Sequence, residues 1–127
     1  MPATDLCYLG LVEVGQQIHA KKLSPVEVTR AMLDRIERLD GRLKSYAYVM
    51  ADSALAEAAV AEKEVAAGKI KGPLHGVPVA IKDLCWVKGA PAAHGMTIHR
   101  IPSERGRHGR RAPEGCGRDH PRQVAAD

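Results

Sequence analysis

Lys82 is the residue best placed to do chemistry, because its ammonium group directly follows the apolar run Val79-Ala80-Ile81. If Lys82 were drawn out of water with those neighbours, its pKa would fall by ~3 from a reference of about 10.4, which is about 4 kcal/mol against the charged form. A lysine that is neutral near pH 7 is a usable general base. The competing reading is a lysine that leaves a strand and pairs with Asp83, and spacing alone favours it. The serines, Ser24, Ser45, Ser53 and Ser103, fall at a helix cap, at helix or strand ends, and in an unpatterned tail. None lies in a glycine- and serine-rich context suited to a nucleophile. His108, Cys116 and His120 contain one C-x3-H spacing without a partner pair, which is weak evidence for a metal, and they read as solvated residues. No metal or cofactor site is expected.

The elements that must position Lys82 are legible from periodicity. Cys7, Leu11, Val14 and Ile18 share one helical face, and that helix ends at Lys21-Lys22. Ser24-Pro25-Val26-Glu27 reads as a capping box: the serine accepts from an orphan N–H, the proline suits the first turn, and Glu27 reaches back. The next helix carries Val26, Leu33, Ile36 and Leu39 inward with Met32 at the edge, and Asp40-Gly41 closes it. Its acids, among them Glu27, Asp34 and Glu37, read as surface charges. Tyr46 to Met50 favours a strand. Ala51 to Ala67 reads as a third helix, with Leu55, Ala58, Ala61 and Val65 on one side and Gly68 as its stop. After the turn Gly72-Pro73-Leu74-His75-Gly76, the strand Val77 to Ile81 delivers Lys82 and Asp83, with Pro78 at its beginning or on an edge. Gly72 and Gly76 permit a close approach, Pro73 and Pro78 stiffen the segment, and His75 bonds within the turn or faces solvent. Helix and strand in alternation point to the α/β class.

At 127 residues the chain fits one domain rather than two. Phenylalanine is absent and alanine supplies much of the apolar content, so large core-filling side chains are scarce. No apolar run approaches the roughly 20 residues that span a bilayer, and the first residues lack the basic end of a signal peptide, so the expected location is cytoplasmic. The three cysteines, Cys7, Cys85 and Cys116, are far apart and read as reduced thiols. The net charge of +4 is uneven: residues 101–127 hold six arginines, no lysine and four acids. That tail has no apolar period and should not fold alone, which divides the chain into a folded part, residues 1–100, and a basic disordered tail, residues 101–127. Without aromatic residues for base stacking, and with its arginines diluted by acids, the tail is a poor nucleic-acid arm.

The stretch Gly72-Pro73-Leu74-His75-Gly76-Val77-Pro78-Val79-Ala80-Ile81-Lys82-Asp83 closely resembles the G-P-L-H-G-(I/V)-P-(I/V)-x-(I/V)-K-D segment of amidase-signature enzymes. The upstream order of capped helix, short strand and alanine-rich helix agrees, and the resemblance spans roughly Leu6 to Arg100. It implies the N-terminal part of a mixed sheet flanked by helices. It also implies hydrolysis of a carboxamide to carboxylate and ammonia by a Ser–cis-Ser–Lys mechanism. In such a site the neutral lysine, here Lys82, takes a proton through one serine, a second serine attacks the carbonyl, and backbone amides hold the oxyanion. Asp83 and Gly76 would support the lysine segment. Both catalytic serines of the family lie in a segment well beyond position 127, so the resemblance supplies no nucleophile here and the chain by itself should be inactive. The implied substrate is a small amide acted on by the full-length parent. The glutaminase-type subunit of glutamyl/aspartyl-tRNA amidotransferases is the alternative within the family. Outside it, the alternative is a non-catalytic helical interaction module with a basic tail. The oligomeric state is not legible.

The tail lacks the continuation this motif has in the family, which resembles D-A-T-x-V, a helix ending A-G-A, and an apolar strand ending G-K. Choosing GGA-CGC-CAC-GGT-CGT-CGC-GCG-CCT for Gly106 to Pro113 and reading one base later gives D-A-T-V-V-A-R-L. Allowed synonyms through Ala126 then give K-A-A-G-A-T-I-L-G-K-L-Q-L. Only the middle base of each shifted codon is free, so the agreement is hard to reach by chance. The expectation is a frameshift between about Arg100 and Arg105, with residues 101–127 as its out-of-frame translation.

Overall fold

A computed structural model describes residues 6–83, 85–91, 95–96 and 124–126. Three helices dominate it: α1, Leu11–His19, α2, Pro25–Leu43, and α3, Ala51–Ala66. Two three-residue strands come next, β1, Ala80–Lys82, and β2, Val124–Ala126, paired in parallel with Ala80 opposite Val124 and Lys82 opposite Ala126. The expected mixed sheet flanked by helices is therefore not assembled among the described residues; this parallel pair is the sheet they form. The rest of the tail, with Ser103, His108, Cys116 and His120, lies outside the described residues, as does the window from about Arg100 to Arg105 in which the frameshift is expected.

α1 begins later than its periodicity suggests. Gly10 is the N-cap, so Cys7 precedes the helix rather than extending its face, and Leu11 is exposed while Val14 and Ile18 are buried. Cys7 instead directs its thiol toward the carbonyl of Ala31 at 3.8 Å. Cys7 and Cys85 carry thiols rather than a disulfide.

α2 starts where the capping residues place it. Ser24 Oγ accepts from the backbone N–H groups of Val26 at 3.0 Å and Glu27 at 3.2 Å, satisfying two orphan donors. The hydroxyl also bonds to Glu62 on α3, so the cap ties two helices together. The inward face is rotated from the expected one: Val28, Thr29 and Ala31 are buried, while Val26, Leu33, Ile36 and Leu39 are half-buried. Counting only large apolar residues misses the true face because its centre is a threonine and an alanine. Gly41 does not stop the helix. It runs to Leu43, Lys44 takes the left-handed conformation at φ 54°, and Asp40 closes the end by accepting from Ser45 N–H at 2.7 Å and Tyr46 N–H at 3.2 Å.

The β-favouring run Tyr46 to Met50 is not a strand; Tyr48 alone holds a bridge position, and α3 begins at once. Along α3 the buried stripe is Ala54, Ala58, Ala61 and Val65, with Leu55 only half-buried. Alanines at this spacing let α3 lie closely on α2. Lys21 Nζ donates to the carbonyl of Ala66 at 3.0 Å and so completes the C-terminal end of α3. Leu6, Val14, Ile18, Leu23, Val28, Ala31, Val65 and Val77 form the core. No helix among the described residues is long and apolar enough to cross a membrane.

Candidate active site

The segment that carries Lys82 is clamped by backbone geometry before it becomes a strand. In the turn 72–76, His75 N–H donates to the Gly72 carbonyl at 3.1 Å and Val77 N–H to the Leu74 carbonyl at 3.0 Å. Gly76 lies at φ +86°, and a Cβ there would sit 2.9 Å from Pro25 Cγ and 3.2 Å from Ile18 Cγ2. Both reasons require glycine: the left-handed backbone and the absence of room. Gly72, by contrast, has open space around it and no such constraint. The close approach comes from the other side, where a Cβ on Gly15 of α1 would lie 2.6 Å from the carbonyl oxygen of Pro73. Sequence reasoning misses Gly15 because a glycine inside an amphipathic helix reads locally as a weak helix former, and nothing in its neighbours announces the turn that packs on it.

Val77, next in sequence, is buried in the core, and Pro78 precedes β1 rather than interrupting it. The strand is shorter than the apolar run suggests, three residues rather than five. Its last residue is Lys82, which is exposed among the described residues. Asp83 turns the other way and is 5 % exposed, with Oδ2 accepting from the Gly95 N–H at 3.1 Å. The lysine and the aspartate therefore leave the strand in different surroundings. The Cys85 N–H donates to the Lys82 carbonyl at 2.9 Å, closing a turn directly after the strand.

Around the turn sits a set of titratable groups that the sequence does not bring together. His75 Nε2 lies 3.0 Å from Glu64 Oε2 on α3, and Glu64 Oε1 lies 2.9 Å from Lys71 Nζ. The hydrogen bond from Lys71 holds the Glu64 carboxyl below the usual carboxylate range, with His75 acting in the same sense and partial burial opposing both. His75 thus neither stays within its turn nor faces solvent. Its signal, an acid eleven residues upstream on the alanine-rich helix, is readable only once that helix is laid beside the turn.

Of the described serines, Ser24 and Ser53 have hydroxyls that are bonded elsewhere, and Ser45 follows the end of α2. Ser24 caps α2 and bonds to Glu62, the Ser45 backbone N–H is held by Asp40, and Ser53 Oγ donates to the Met50 carbonyl at 3.1 Å. The arrangement brings together Lys82, Asp83 and Gly76 on one continuous segment and places no nucleophile with them among the described residues. No cluster of three or more metal-ligating side chains occurs among them either.

Comparison with known proteins gives a consistent picture. Residues 27–103 match the amidase family model. "Putative amidase AmiD" of Mycobacterium tuberculosis (strain ATCC 25618 / H37Rv) is 51% identical over 92 residues, covering 72% of this chain and 19% of that protein. The A-type subunit of glutamyl-tRNA(Gln) amidotransferase from Anaeromyxobacter dehalogenans is 44% identical over 97 residues, covering 76% of this chain and 20% of its own length. Among solved structures, a bacterial aryl acylamidase of the amidase signature enzymes superposes with a TM-score of 0.67 at 27% identity, over 78% of this chain and 21% of that one. A crystal structure of an amidase gives 0.62 at 31% identity over 66% and 19%. The chain spans about one fifth of the length of the curated relatives it matches.

Proposed function

Because the chain belongs to the amidase family, matching its model over residues 27–103, we propose that it carries the lysine part of a carboxamide-hydrolysing site. In this reading Lys82 is the general base. It accepts a proton relayed through one serine from a second, nucleophilic serine, which forms an acyl-enzyme as ammonia leaves, and water then releases the carboxylate. The observation that carries the reading is the unbroken segment Gly72 to Asp83, which ends with Lys82 at the tip of β1 and Asp83 buried beneath it. Asp83 and Gly76 hold that segment in place and touch no reacting atom.

Lys82 is exposed among the described residues, so a substrate and a relay serine can both reach it in this reading. With no serine placed beside Lys82 among the described residues, the chain assayed alone releases no ammonia from simple aliphatic or aromatic amides or from glutamine. Turnover by the isolated chain that is abolished in Lys82→Ala would sink this part of the proposal. In the full-length parent, glutamine as the preferred amide would mark a glutaminase, the reading supported by similarity to the amidotransferase. Preference for other amides fits the higher identity to AmiD.

The frameshift belongs to the same proposal. The family match stops at residue 103, inside the window from about Arg100 to Arg105 where the reading frame is inferred to change. The gene sequence across that window decides it: codons that fail to encode D-A-T-V-V-A-R-L one base later remove the explanation.

A further inference from the structure

The turn that leads into β1 closes on two backbone hydrogen bonds, but these lie within the turn itself, Pro73 and Pro78 cannot donate further ones, and β1 is only three residues long. Side chains supply the rest, and His75 is the centre of them. Its Nε2 lies 3.0 Å from Glu64 Oε2, its Nδ1 accepts from the Lys71 backbone N–H at 3.4 Å, and its carbonyl oxygen lies 3.3 Å from Nε2 of His19 on α1. With Nδ1 accepting, Nε2 is the nitrogen that donates to the carboxylate. One residue thereby joins α1, α3 and the turn. We propose that Glu64 and His75 are positioning residues for Lys82: they latch the turn to α3 and so fix the entry of β1 and the place where Lys82 leaves it. Six residues separate His75 from Lys82, and the buried Val77 between them transmits the constraint to the strand. The importance of that position rests on the general-base reading of Lys82, but the latch itself does not.

Amide hydrogen exchange on the whole chain tests it without substrate. In His75→Leu, exchange at Val77 and Cys85, whose N–H groups close the turns on either side of β1, rises about tenfold, the scale set by losing a hydrogen bond to a charged group. Val14 and Val28, whose N–H groups donate to the N-cap carbonyls of Gly10 and Ser24, keep their rates. Glu64→Leu gives the same pattern, the double variant adds nothing further, and His75→Gln, which keeps a donor, recovers part of the protection. In the unaltered chain, nitrogen-15 shifts of His75 report a bare Nδ1 and a protonated Nε2. Unchanged exchange at Cys85 in His75→Leu overturns the proposal, and so does an equal rise at Val14 and Val28, which would make His75 a general stabilising residue. If His75→Leu does not fold, Glu64→Gln decides by the same two pairs of amides. A failed latch leaves Lys82 as base untouched. An amidase activity indifferent to Lys82 removes the base and leaves the exchange pattern standing.

Discussion

Gly76 and Lys82 are six residues apart, and substituting them should have opposite kinds of effect. Gly76→Ala forces a side chain into a left-handed backbone and against Pro25 and Ile18, so it should cost about 1–3 kcal/mol, measured by urea unfolding. Lys82→Ala removes an exposed side chain at the end of a strand and should stay within about 0.5 kcal/mol of the unaltered chain in the same experiment. Glu64 gives a pH signature. Its carboxyl is held below its ordinary value of 4.5, so its stabilising contribution is complete above that pH and is lost as pH falls through the lowered folded value. The difference in melting temperature between the unaltered chain and Glu64→Gln should therefore be present at pH 6 and shrink progressively below about pH 4.5. At this scale the sequence is candid about the motif and silent about its supports. Lys82, Asp83 and Gly76 stand out by type and order, whereas Gly15 and Glu64 matter only because of what folds onto them.

Among the elements, helix existence is legible and helix phase is not. Ser24-Pro25 marks the start of α2 because caps are local chemistry, readable over four residues. Ser24→Ala should lower stability by about 1 kcal/mol, and somewhat more if the link to Glu62 adds to the cap, as read by thermal denaturation followed in the far ultraviolet. The inward face of α2 differs from its apolar pattern by a rotation because burial of Thr29 and Ala31 is decided by the neighbouring helix, not by their own hydropathy. α3 shows the converse: its stripe of alanines is buried because it is small enough for α2 to come close. Ala58→Leu should therefore cost about 1–3 kcal/mol by overpacking, measured as a lower urea midpoint, although leucine is a good helix former and more apolar. The apolar run locates β1 but overstates its length, since strand length is fixed by partners and β2 offers three residues.

For the molecule as a whole, the fold class is legible only as far as the helices. The α/β expectation depends on a sheet, and the described residues supply one parallel pair, while the matched segment makes up only 19% of the relative AmiD. Apolar side chains that such relatives could cover lie open here, including Tyr8, Val12, Leu43, Val60 and Trp86. Exposed apolar surface of this kind favours association. Light scattering should show an average mass that rises with protein concentration, and a mass that stays at 13.7 kDa across the accessible range would contradict this.

The alanine stripe of α3 also bears on the thermodynamics of unfolding. Ala54, Ala58 and Ala61 fill the buried face with one methyl group each, so each turn of this helix shields little hydrocarbon from water. The heat-capacity increment on unfolding scales with the apolar area that becomes hydrated, ordinarily about 12–15 cal/mol/K per residue. For this chain calorimetry should give a value below that range, with a small enthalpy and a broad transition in place of a sharp one. Stability would then vary little with temperature across the physiological range, because the contribution that bends the stability curve is the one the alanines withhold.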